Sequence, residues 1–264
     1  MSISPTTTAI SNPQQDARAA EREVKVWDVP TRAFHWLMVV LVALAWATGE
    51  EEGVWFAIHA LAGYAVLAAL LFRIVWGFAG GAYARFSSFL QPASVTASYV
   101  KQLIRLRPPR FVGHNPLGAW MIIALLLVLA LMVVSGLFAE GEEGLAGPWA
   151  SSAIGVSARQ WYEIHEVLFN VLLGLIAIHV AGVVIDQLLT RDKLVKAMFT
   201  GRKRVPDQAQ ILEGATVSAT RVVTVLIAAL IVTGFLVGWQ LPSTTASDGK
   251  SMGEQDKRHE RNER

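Results

Sequence analysis

Polar positions dominate the chain up to residue 23, and five long apolar runs follow, at about residues 33–48, 54–78, 116–139, 161–189 and 222–239. A helix needs roughly 20 residues to cross about 30 Å of hydrocarbon, fewer where flanking side chains snorkel. Five membrane-spanning helices are therefore predicted. Between the second and third runs, QPASVTASYVKQLIRLRPPR mixes apolar residues with Lys and Arg. That pattern predicts an amphipathic piece lying on the membrane surface and stopped by Pro108 and Pro109.

Charge then orients the spans. Arg18, Arg22, Lys25 and Arg32 precede or open the first span, and the connection from the second to the third carries Arg85, Lys101, Arg105, Arg107 and Arg110. The connection from the fourth to the fifth adds Arg191, Lys193, Lys196, Arg202, Lys203, Arg204 and Arg221. The other two connections hold GEEEG at 49–53 and AEGEEGLAGPWASS from Ala139, with Arg159 their only basic residue. Basic residues stay on the cytoplasmic side, so a cytoplasmic N-terminus and an outer C-terminal tail are expected. Residues 1–23 lack the apolar core of a signal peptide and read as a disordered cytoplasmic leader.

Composition agrees with the pattern: 53% of the 264 residues are hydrophobic and only 17% charged, with a mean hydropathy of +0.42. That excludes an ordinary soluble domain. The formal net charge of +2 gives no sign of a nucleic-acid partner. The chain has no cysteine, which excludes disulfides, thiolate metal sites and covalent haem attachment. Any metal must sit on His, Met or carboxylate.

Five of the six histidines lie in or beside the spans, and His259 lies in the tail. His165 and His179 are fourteen residues apart, close to four helical turns, so both leave one face of the fourth span about 21 Å apart. Successive spans run antiparallel. His165 therefore matches the depth of His59 near the outer surface, and His179 comes nearest His35 toward the cytoplasm. Facing imidazoles at equal depth are what a six-coordinate haem iron needs, and bundle cores build cofactor sites this way. Gly63 and Gly174 are expected to let a flat macrocycle approach the backbone. Arg73, fourteen residues beyond His59, falls on the same face at the cytoplasmic end, within expected reach of haem propionates. His114 has no depth partner and is expected at the start of the third span or on the surface, with a quinone-site role as the alternative. Glu166, Asn170 and Asp186 are candidate supporting partners or proton carriers. Trp27, Trp36, Trp55, Trp149, Trp161 and Trp239 fall near span boundaries, as an interfacial belt requires.

The motifs VWDVPTRAFHWL, IHALAGY, LLFRIVWG, YARFSSF, GHNPLGAW and WYEIHEVLFNVLLGLIAIHV closely resemble the prokaryotic cytochrome b561 family, which includes the b-type cytochrome subunit of nickel-iron hydrogenase. The likeness covers about residues 24–203. It implies an all-α fold, an integral-membrane four-helix haem-binding bundle, here with one additional C-terminal transmembrane helix at 222–239. A linker at 204–221 would join the two, and residues 240–264 would form a polar outer tail. The resemblance implies two b haems, His35 and His179 ligating the cytoplasmic-side one and His59 and His165 the outer one. It also implies electron transfer between a quinone and a redox partner in the inner membrane of a bacterium. A c-type cytochrome, or a dehydrogenase or hydrogenase subunit, fits as that partner, and a homodimer is compatible with the sequence. The alternatives are a hydrogenase membrane anchor, a stand-alone superoxide or quinol oxidoreductase and, remotely, a non-redox transporter.

Overall fold

The computed structural model describes residues 21–50, 52–141, 145–207, 209–212 and 217–238. Trp239, the tail with His259, and the leader up to residue 20 lie outside them. Five helices are long and apolar enough to cross a membrane, and each coincides with a predicted span. They are α1 (Val29–Thr48), α2 (Val54–Ala79), α5 (Pro116–Phe138), α6 (Ala158–Thr190) and α8 (Ala219–Gly238). Three shorter helices, α3 (Phe86–Phe89), α4 (Ala93–Ile104) and α7 (Leu194–Thr200), lie between them.

Local chemistry sets the helix starts. Asp28 caps α1 by accepting a 2.9 Å hydrogen bond from the Thr31 N–H, and Pro30 follows in the first turn, where its fixed φ suits a helix. Asn115 caps α5 in the same way through Gly118, again with a proline, Pro116, just inside. Ser157 and Gln160 form a reciprocal capping box at the start of α6. These caps explain why α1 opens at Val29, four residues before its expected start, and α6 at Ala158.

A two-stranded antiparallel sheet joins chain segments expected to be leader and linker. β1 (Glu21–Lys25) pairs with β2 (Arg202–Pro206), Glu21 opposite Pro206 and Lys25 opposite Arg202. Residues 21–23 are thus ordered backbone, and residues 204–206 belong to the folded unit. Gly201 closes α7 with a φ of +77°, and its carbonyl accepts from the N–H groups of Val26 and Trp27 at 2.9 and 3.1 Å. A residue with a Cβ is strained there.

The bundle consists of two helix pairs. α1 packs along α2 and α6 along α5, while α2 and α5 join the pairs at the centre. Among the described residues, α6 makes scarcely any close backbone approach to α1 or α2. A core of Met38, Leu41, Val66, Leu70, Leu129 and Leu172 fills the middle of the bundle. α8 lies outside α2, packing Val225 and Ala229 against Phe72 and Trp76. It runs antiparallel to α2, since Arg221 donates to the Ala79 carbonyl at one end and Trp149 Nε1 to the Leu236 carbonyl at the other.

Both strands, α4 and the clustered arginines and lysines share one end of the bundle, called the basic end below, and the glutamate-rich connections share the acidic end.

Candidate haem-binding sites

The standoff between α6 and the first two spans is bridged by histidines at two levels. At the acidic end, the rings of His59 on α2 and His165 on α6 lie 6.2 Å apart, centre to centre. Each presents Nδ1 to its own support. His59 Nδ1 lies 2.8 Å from the Ala45 carbonyl of α1. His165 Nδ1 lies 3.0 Å from the Met132 carbonyl of α5 and 2.9 Å from Ser135 Oγ, whose hydroxyl itself donates to Met132. A carbonyl accepts only, so Nδ1 carries the hydrogen in both rings and Nε2 is the free lone-pair nitrogen. Glycine backbone makes room for both: a Cβ at Gly49 would come within 3.3 Å of His59 Nδ1, and one at Gly136 within 3.1 Å of His165 Cε1.

These residues fit an iron between them. A metal–imidazole bond of about 2 Å, with roughly 1 Å from nitrogen to ring centre, would let one iron reach both rings at a separation of about 6 Å. Among the described residues, no group of three or more His, Asp or Glu side chains could hold a metal by itself. Two imidazoles alone suit a metal whose other positions are filled by its own macrocycle.

At the basic end, His35 on α1 and His179 on α6 are near enough to interact electrostatically, and His35 meets Trp36 edge to face at 5.0 Å. Among the described residues, six of the seven buried side-chain nitrogens and oxygens without a protein partner belong to this end: Thr31 Oγ1, Arg32 Nε, His35 Nδ1, Trp36 Nε1, Arg73 Nη1 and His114 Nδ1. Buried polar groups are normally satisfied, so their concentration around one pair of histidines fits a polar-edged group. Arg73 is 3% exposed. Its Cζ lies 4.9 Å over the Phe86 ring, and its charge is balanced by Asp28. Asp28 in turn accepts from Trp76 Nε1 at 3.1 Å and the Gly81 N–H at 3.3 Å, fixing the start of α1 to the end of α2. The backbone at Gly63 and Gly174 has open space where a Cβ would stand.

His114 stands at the entry of α5, just before its cap Asn115, and is partly buried. Its ring packs 4.4 Å from Trp27 and 4.9 Å from Phe89. Burial, reinforced by the charges of Arg73, Lys203 and His179, pushes its imidazole down to about 3. Trp27, expected in an interfacial belt, is 7% exposed beneath it. The sequence offers no signal for this box, whose walls come from three separate segments. Of the other candidate partners, Asn170 donates to the Glu166 backbone and both are exposed, whereas Asp186 is buried against Tyr99.

Residues 26–201 match the family model for prokaryotic cytochrome b561. The chain belongs to that family. The cytochrome b561 chain is also similar to curated relatives named probable Ni/Fe-hydrogenase B-type cytochrome subunits. One from Rhizobium leguminosarum bv. viciae is 24% identical over 72% of this chain and 93% of the relative. One from Azotobacter chroococcum mcd 1 is 26% identical over 73% and 93%. The probable Ni/Fe-hydrogenase 1 B-type cytochrome subunit of Escherichia coli (strain K12) is 24% identical over 67% and 88%. No solved structure matches the chain. This cytochrome b561 is thus a multi-pass membrane b-type cytochrome that takes haem b and works in electron transfer.

Proposed function

We propose that the chain holds two b haems, one between His59 and His165 and one between His35 and His179, and conducts electrons between membrane quinone and a redox partner. The observation that carries this reading is the His59–His165 pair, with ring centres 6.2 Å apart and Nδ1 of each ring engaged by a backbone carbonyl, which leaves Nε2 as the lone-pair nitrogen of each. Haem iron bound there would supply one-electron redox chemistry. The chain's part is to hold each imidazole by its Nδ1 hydrogen bond, which fixes tautomer and orientation and raises ligand basicity. Arg73, with Nη1 unpartnered, is the cation available to a propionate at the basic end.

Quinone is placed at the basic end. There a pocket lined by Tyr83, Phe89, Phe111, Ser88, Gln91 and His114 sets aromatic walls beside hydroxyl, amide and imidazole groups, which can hydrogen-bond the carbonyls of a quinone headgroup. The basic end is the cytoplasmic one by the positive-inside bias, which puts the N-terminus in the cytoplasm; likeness to bacterial relatives makes the membrane the bacterial inner one. By likeness to the hydrogenase cytochrome subunits, the partner is a hydrogenase-like or other dehydrogenase complex. The glutamates of the acidic end also favour a basic partner such as a c-type cytochrome.

Single-site variants test the pairing. His59→Ala and His165→Ala should each remove the same haem and leave the other, read as haem content and potentiometric titration of the purified protein. Loss of different haems in the two variants would refute the pairing even with two haems present.

A further inference from the structure

Three carboxylates lie on the spans: Glu163 and Glu166 near the acidic-end start of α6, and Asp186 toward the basic end. An ionisable group at such depth is costly and asks for a function. Asp186 is 9% exposed. The Tyr99 hydroxyl of α4 donates to its Oδ1 at 2.9 Å, and the Asn115 side chain lies close enough to act on it. Lys203 attracts its charge and Asp192 opposes it.

Its position links two compartments. Asp186 lies seven residues, two turns, beyond His179 on the same helix face. Asn115 is the neighbour of His114 in the chain, and the Tyr99 ring packs 5.7 Å from Phe111. His114 and Phe111 are both walls of the basic-end pocket. In the other direction, Asp192 holds Lys203 at 2.6 Å and Arg110 at 2.7 Å, and Arg110 holds Glu21 at 2.8 Å. Arg110 and Glu21 are each 37% exposed at the side chain. Burial and the Asp186 carboxylate raise Tyr99 above the ordinary tyrosine value, which keeps its phenol an O–H donor.

We propose that Asp186 is the proton carrier between the aqueous face of the basic end and the quinone pocket, an inference that rests on the quinone reading above. Oxidation of one hydroquinone to quinone releases two electrons and two protons. Haem held by the chain's histidines would supply the one-electron acceptors for those two electrons. The protons leave in turn through the Asp186 carboxylate, which takes up the first, releases it to water and is then ready for the second. Quinone reduction runs the same route in reverse.

The competing role is a tie that anchors α4 to α6, and three variants separate the two. In full-length haem-loaded protein in lipid nanodiscs, Asp186→Asn keeps an acceptor for Tyr99 but cannot carry a proton. Its haem reduction by a short-chain ubiquinol should slow about 100-fold, with reduction by dithionite unchanged, and Asp186→Glu should restore most of the rate. The carboxyl band of the redox-difference infrared spectrum should vanish in Asp186→Asn. Tyr99→Phe, which breaks the tie and keeps the carboxylate, should stay within about threefold of the natural rate.

A natural ubiquinol rate and an unchanged infrared band in Asp186→Asn would overturn the proposal and leave the quinone reading standing. Equal slowing in Tyr99→Phe would overturn it too, assigning Asp186 to the tie. If ubiquinol does not reduce the natural protein while dithionite does, the quinone reading fails and takes the proton carrier with it, an outcome distinct from a slow Asp186→Asn beside a fast natural protein.

Discussion

A histidine inside a bilayer has few partners, and His59 and His165 use Nδ1 in the same way, each on a backbone carbonyl, with the two rings 6.2 Å apart. The arrangement depends on small neighbours. Gly136→Val brings branched carbons into a space where even a Cβ lies 3.1 Å from the His165 ring, so the ring must shift. The acidic-end haem should be lost or partly occupied while the basic-end haem stays, and equal occupancy of both in the haem spectrum would count against the account. His114 makes a different prediction. Its folded-state value is lowered to about 3 from 6.5. Above pH 6.5 both folded and unfolded chains hold a neutral imidazole, and the group adds no pH dependence. As pH falls from 6.5 toward 3, the unfolded chain binds a proton that the folded chain refuses, removing up to about 1.4 kcal/mol of stability per unit. The melting temperature of the purified protein should fall over that window, and less steeply in His114→Phe; parallel profiles would contradict the enclosed neutral ring. The spacing of His165 and His179 was readable because helix geometry converts sequence distance into depth. The enclosure of His114 was not, since depth says nothing about which loops fold over a helix start.

At the scale of elements, the spans were legible because lipid imposes a length and an apolar composition on each. Their exact starts depend on caps such as Asp28 and Ser157, single polar residues whose effect is local. The β1–β2 pair escaped the sequence reading for a physical reason: its strands lie about 180 residues apart and carry basic side chains that also suit a leader and a linker. What holds the pair to the bundle is Asp192, 4% exposed, bonded to both Lys203 and Arg110. Lys203 is itself buried, with a 2.5 Å bond to the Phe111 carbonyl as its other contact. Asp192→Ala leaves that ammonium buried without its counter-charge, a change worth about 3 kcal/mol. It should lower the melting temperature and expose the Arg202–Pro206 segment to proteolysis. An unchanged melting point would mean that the sheet is held by backbone pairing alone.

For the whole molecule, two helix pairs stand apart where histidines face each other, and α8 closes the outer side of α2 without entering that gap. The fifth span was visible in the sequence as an apolar run, but its docking site was not, because every span offers lipid a similarly apolar surface. The two levels of histidine lead to the central claim, a membrane conductor with two b haems. A reduced-minus-oxidised visible spectrum of the detergent-purified protein, with haem per chain measured as the pyridine haemochrome, tests it most directly. Low-spin b-type bands and two non-covalent haems per chain are expected. A single haem would remove one of the two pairs from the account, and none would contradict it altogether.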